Sequence, residues 1–323
     1  MTAAFLRVSA LPMGAEAVAG GAFLRLPARM PVRAALLAAL CLAAAPAAAL
    51  QLKPFKDKLF DYPRLIEVQD DGAFERVEYV RDRDLVNRDE ILRIRVKRPY
   101  VNLKPYRRQK TLTYSVKGRI NKYIAVGRLE GGAKAIVINL HGNGGDRFVA
   151  ANDWSYGGNY NRIKNLMLRN AGLYVSPDFT DFGTKGQADI KTLMTQLAAV
   201  SPGAPVFLGC TSMSGIICWN LMKEPETAAL LGGVLFFGSV YDYGFLQSTT
   251  FRSKPDPIPI YFGHATKDPI YDWREQAKFY RVIRGGRSGY PIRFTLFDTG
   301  SHGTPVRMTD WRLILNWMLK RQS

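Results

Sequence analysis

Cysteine, histidine and acidic residues are all scarce in this sequence. Its 323 residues hold three Cys, three His and 27 Asp and Glu against 45 Lys and Arg. Cys41 lies in an Ala/Leu-rich leader, so only Cys210 and Cys218 remain beyond it, too few for a disulfide framework. They straddle a predicted strand-to-helix turn. With Cys218 two helical turns into that helix, a bridge between them is expected to be geometrically poor. No Cys/His grouping has metal-ligand spacing, and neither metal nor cofactor is expected. A membrane-spanning run is also missing: the leader's apolar stretch is about 16 residues, short of the roughly 20 that a span needs.

From Met30 the chain reads "MPVRAALLAALCLAAAPAAALQLKPF". A basic start, a short apolar core and an A-x-A-like end describe a secretory signal peptide over residues 1–49, cut near Ala49–Leu50. Met30 opens a normal leader by itself, which makes residues 1–29 a candidate upstream extension. Leu40 rather than a small residue precedes Cys41, so lipid attachment is not expected. These features imply a periplasmic or secreted protein whose remaining residues, 50–323, form one domain.

Removing the leader's four Arg and one Glu leaves a net charge of +15. Such a surface favours anionic surroundings. The densest cluster, "KRPYVNLKPYRRQK" (97–110), interleaves Tyr and Pro with six Lys and Arg. It reads as a solvated basic face or as a contact with the cell envelope. Nucleic acid is not expected, because a secreted protein seldom meets it.

Along residues 74–130, "FERVEYV", "ILRIRV", "TLTYSV" and "YIAVGRL" alternate as strands do. At 134 the pattern changes to "AKAIVINL", a near-continuous apolar run expected of a strand buried on both faces of a parallel sheet. Strand and helix patterns then alternate to the final helix "DWRLILNWMLKR", with a break predicted at Pro225. This is a mostly parallel, doubly wound α/β sheet preceded by antiparallel strands.

Four stretches fall at the C-terminal ends of predicted strands, where open α/β sheets hold their sites. They are "HGNGGD" (141–146), "CTSMSG" (210–215), "GHATKDP" (263–269) and "TGSHGTP" (299–305). Glycines in the first let backbone N–H groups turn toward a ligand oxygen. By itself the second is also consistent with a plain Ser N-cap.

Over roughly residues 112–320 these four stretches, in this order, resemble the α/β-hydrolase superfamily, which places its nucleophile on a G-x-S-x-G elbow and orders its triad Ser, acid, His. Cys210 and Ser214 replace the two elbow glycines, and Gly215 is retained. The resemblance implies a serine hydrolase with Ser212 as nucleophile, Asp268 as acid, Asp298 as the fallback, and His302 as base. It implies oxyanion donors at the backbone N–H of Met213 and Asn143, with Gly144 as the alternative. His141 and His264 read as structural. In the loop "ANDWSYGGNYN" (151–161), Trp154, Tyr156 and Tyr160 are candidates for stacking on substrate or for anchoring the loop. The stretch 241–257 is too short for a folded lid, so an open site for bulky or anionic esters is expected. A peptidase of the same fold and a non-catalytic envelope-binding protein are the competing readings.

Overall fold

Strand β7 (Ile136–Leu140) is buried along its whole length, as the run "AIVINL" demands. Its side chains point alternately to two cores: Ile136 and Ile138 join one, Val137 the other. The first core packs under helices α3 (Thr184–Val200), α4 (Gly215–Lys223) and α7 (Trp273–Gly286), and the second under α2 (Asn159–Arg169) and α9 (Trp311–Leu319). Helices thus cover both faces of the sheet. This computed structural model describes residues 50–322, so the leader reading lies outside the described residues.

The sheet has ten strands. At its centre β8 (Leu173–Pro177), β7, β9 (Val206–Thr211), β10 (Leu231–Phe237), β11 (Ile260–Ala265) and β12 (Ile292–Asp298) run parallel, with β7 between β8 and β9. The order reverses there, and the loops after β7 and β9 open a crevice at the carboxyl ends of the strands.

The N-terminal strands divide between the two edges. A hairpin of β5 (Lys110–Val116) and β6 (Arg119–Gly127) lies antiparallel against β8. At the far edge β2 (Phe74–Glu78) joins β12 in parallel and carries β1 (Leu65–Gln69) outside it. "ILRIRV" does not enter the sheet. Arg93 takes a left-handed backbone, φ 64°, and its N–H is held by the Asp89 carboxylate. The segment therefore folds back as a separate hairpin of β3 (Asp89–Ile91) and β4 (Arg95–Val96).

Helix α4 stops where expected, because Glu224 before Pro225 is extended at ψ 122° and a short α5 (Pro225–Ala228) begins at the proline. Between β10 and β11 the chain forms only a short 3-10 turn (Tyr243–Gln247) and α6 (Thr249–Arg252), with no folded cap. No helix among the described residues is long and apolar enough to cross a membrane.

Candidate active site

Ser212 follows β9 directly and has φ 56°, in the left-handed region. That conformation costs a non-glycine residue about 1–2 kcal/mol and must be held by its surroundings. The hydroxyl of Ser239 donates to the Ser212 carbonyl at 2.6 Å. Gly215 is required by the same packing, since a Cβ there would lie 2.2 Å from Ser239 Oγ. Ser214, fully buried, donates its hydroxyl to the Thr211 carbonyl at 2.9 Å, with the Leu140 carbonyl at 3.3 Å. By contrast, Ser212 Oγ has no hydrogen-bond partner among the described residues and faces a cleft. The geometry separates the two serines: one closes the turn, the other is presented.

The expectation about the cysteines is corrected here. Cys210 and Cys218 form a disulfide, with Cα atoms 6.5 Å apart, inside the usual range of about 4.4–6.8 Å. Residues 212–214 form a 3-10 turn, so α4 begins only at Gly215. Cys218 is its fourth residue, not two turns in, and the sharp elbow brings that first turn back beside the end of β9. Cys210 thus replaces an elbow glycine with one half of a bridge.

His302 and Asp268 meet across the ends of β12 and β11. The His302 Nδ1–H donates to Asp268 Oδ2 at 2.8 Å, while Oδ1 accepts the N–H of Ile270 at 2.8 Å and of Tyr271 at 3.3 Å. Burial alone pushes the Asp268 carboxyl up. The hydrogen bonds from His302 and Ile270, with the neighbouring imidazoles, outweigh it and hold the group below the usual carboxylate range. Gly238, φ +47°, lets the pair close: a Cβ there would lie 2.9 Å from Asp268 Oδ2 and 3.2 Å from His302 Nδ1. Asp298, the fallback acid, is engaged elsewhere, accepting from Arg76 at 2.7 Å.

The other two histidines have different settings. His264 is fully buried; its Nδ1 accepts the Ala265 N–H at 2.9 Å, and burial lowers its pKa despite the nearby Asp268. His141 stacks on Phe179 with ring centroids 4.3 Å apart and donates from Nδ1 to the Gly142 carbonyl at 2.9 Å, steadying the glycine loop. Ser212, Met213, Asn143, Gly144 and His302 line one cleft of about 500 Å³.

Among solved structures the chain is similar to a thermostable esterase, with TM-score 0.53 and 15% identity over 65% of this chain and 62% of that one. It is also similar to an esterase from Pyrococcus furiosus, with TM-score 0.50 and 15% identity over 68% and 96%. The chain has the α/β-hydrolase fold. No protein-family model matches it, and no curated protein does. At these identities the likeness extends to the hydrolase fold alone. The chain spans less than two thirds of the thermostable esterase's length.

On this fold the glycine loop after β7 lies against the elbow. A Cβ at Gly142 would come 3.1 Å from Ser212 Cβ, so a larger residue there would require the two loops to part by a few tenths of an ångström. Beyond it the backbone N–H groups of Asn143 and Gly144 donate to no acceptor among the described residues.

The three aromatic candidates divide. Tyr156 and Tyr160 line the cleft, edge to face at 5.5 Å. Trp154 is not among the cleft-lining residues. Asn152 Oδ1 accepts the N–H of Trp154 and Ser155, Val96 N–H binds the Trp154 carbonyl at 3.0 Å, and the Arg95 guanidinium covers the indole at 3.8 Å. The loop 151–161 is further tied down by buried Lys164, which bridges Asp153 at 2.8 Å and the Ala151 carbonyl at 2.6 Å. Val149, Ile270 and Tyr271 also line the cleft and carry no signal in the sequence beyond their nearness to the glycine loop and Asp268.

Proposed function

We propose that the protein is a serine hydrolase that cleaves carboxylic esters, with Ser212 as nucleophile, His302 as general base and Asp268 as the acid that orients it. The observation that carries this reading is the strained Ser212, its hydroxyl unpartnered, opening into the cleft that also holds the Asp268-bound imidazole. Asp268 on Nδ1 leaves His302 Nε2 to take the Ser212 proton as Oγ attacks the ester carbonyl. The tetrahedral oxyanion is received by the N–H of Met213 and of Asn143 or Gly144; one such donor is worth about 3–4 kcal/mol in a transition state. Collapse expels the alcohol, which takes its proton from His302. Water then releases the acid from the acyl-serine by the same steps.

Among the described residues no folded cap enters between β10 and β11, which suits bulky esters as well as small ones. A buried disulfide suits an oxidising compartment, so a periplasmic or secreted location is part of the proposal, with the basic stretch 97–110 as its contact to an anionic envelope. The deciding experiment is labelling with a fluorophosphonate probe. Adduct on Ser212, lost in His302→Ala, is expected. A folded protein that takes no label would make this a non-catalytic binding protein.

A further inference from the structure

A second cavity of about 280 Å³ adjoins the cleft, with Tyr156 in the wall of both. Ser301 and Gly303, the residues on either side of His302, line it together with Tyr79, Arg93, Thr304 and Arg307. Its floor is a charged cluster. Arg307 grips the Asp89 carboxylate with both terminal nitrogens at 2.9 and 2.7 Å, and Asp89 Oδ2 also accepts the Arg93 N–H at 2.7 Å. Arg88 lies beneath: a Cβ on Gly157 would touch Arg88 Nε at 2.8 Å and Arg307 Nη1 at 2.9 Å. Arg307 also donates to the Asp84 carbonyl at 3.2 Å, while the Asp84 carboxylate is held by Arg83 at 2.8 Å, so Arg93 is the lining arginine that no carboxylate neutralises.

The Arg93 side chain has no acidic, aromatic or carbonyl partner among the described residues, and the hydroxyls of Tyr79 and Ser301 have no hydrogen-bond partner there either. The Tyr79 hydroxyl registers the field. Burial raises its pKa, and among the largest charge effects on it Arg307, Arg81 and Arg93 lower it while Asp84 raises it. Exposed Arg93, with the hydroxyls of Tyr79 and Ser301 beside it, offers an anion entering this cavity charge-assisted hydrogen bonds.

Resting on the hydrolase reading above, we propose that this cavity binds a carboxylate on the alcohol part of the substrate, making the enzyme selective for esters of anionic alcohols. The side follows from the chemistry: His302 must hand its proton to the departing oxygen, so the alcohol part lies toward His302, and the cavity flanks that residue.

The test compares the butyrate ester of 3-hydroxybenzoate with the butyrate ester of methyl 3-hydroxybenzoate, taking the ratio of their kcat/KM at low salt. Intrinsic reactivity cancels when that ratio is compared between proteins. Arg93→Gln is expected to lower the ratio about tenfold, the scale of one charge-assisted hydrogen bond, with Arg93→Lys retaining part of it. Tyr79→Phe should lower it in the same direction. Lys104→Gln, in the separate basic stretch, should leave it unchanged. A ratio unmoved by Arg93→Gln, or lowered equally by Lys104→Gln, would overturn the subsite while leaving the hydrolase standing. Turnover of neither ester, with no fluorophosphonate label on Ser212, would overturn both.

Discussion

Gly238→Ala offers a way to loosen the Asp268–His302 pair without touching either residue. Two costs are built into the position. The backbone has φ +47°, which an alanine adopts at about 1–2 kcal/mol. The new methyl carbon also falls 2.9 Å from Asp268 Oδ2, where ordinary contact begins at 3.4 Å, so something must retreat by about half an ångström. Asp268 is pinned through its other oxygen by two backbone N–H groups and is fully buried at its side chain, whereas His302 keeps 28% exposure. The imidazole is therefore the partner that yields. Moving a reacting group by 1 Å costs about a hundredfold in rate, and half that displacement implies a fall of about tenfold in kcat. KM should change little, since Gly238 is not among the cleft-lining residues.

Gly289→Ala is the matched control. It has φ +72° and nothing within 4 Å of the added Cβ, so it carries the backbone cost without the collision. Urea midpoints should fall for both variants, and p-nitrophenyl butyrate hydrolysis should fall for Gly238→Ala alone. If folded Gly238→Ala keeps kcat within twofold of Gly289→Ala, the pair does not set the rate and the role given to Asp268 is wrong.

Other outcomes follow from the same geometry. Ser212→Ala should abolish hydrolysis, while Ser214→Ala should lower stability and keep most of the activity, because the Ser214 hydroxyl is spent on the Thr211 and Leu140 carbonyls; an inactive but folded Ser214→Ala protein would move the nucleophile. The disulfide closes a loop over a separation of 8 residues, so reduction should remove about 2.5 kcal/mol of unfolding free energy, and titratable thiols at both Cys210 and Cys218 in the denatured, unreduced protein would refute the bridge. His264 has a pKa lowered chiefly by burial. Since the unfolded chain then takes up its proton first, at about pH 6.5, its stabilisation is complete above that pH and is lost as pH falls toward the folded value. The loss is at most about 1.4 kcal/mol per pH unit, read as urea midpoints at pH 7.5 and 5.5. His264→Gln should flatten that slope; an unchanged slope assigns it to another group.

What the sequence discloses is what short stretches encode alone. "AIVINL" and "GGVLFF" read as strands because burial on both faces requires an unbroken apolar run, and α3, α7 and α9 read as helices because each is long enough for its apolar period to recur. β1 was illegible because its residues are mostly exposed, so no alternation marks a buried face. Helices α1 (Arg147–Ala151) and α8 (Thr304–Met308) were illegible because five residues do not complete two turns. Ser212, Asp268 and His302 can be named as candidates because the stretches at the strand ends resemble, in order, the Ser, acid and His positions of the α/β-hydrolases. Of the two readings open for Trp154, its contacts with Arg95 and Val96 favour the loop anchor, and these lie about 60 residues away on a hairpin that periodicity reads as a sheet strand.

A few loop residues share a property that the sequence does not disclose: their backbone contradicts their local preference. Arg93, Tyr156, Ser212 and Thr299 are all left-handed without being glycine, with φ between 48° and 64°. None belongs to a turn that its own side chain dictates. Arg93 is held by the nearby Asp89, and two others by partners far along the chain: Ser212 by Ser239, Thr299 by Thr266 Oγ1 and the Tyr79 carbonyl. A fold tolerates such conflict where the surroundings over-determine the geometry. That is why Gly238, whose left-handed backbone is ordinary for its type, gave no local sign of the role it plays between residues 268 and 302. Its constraint comes from the approach of those two side chains, and only the packed structure brings them to it.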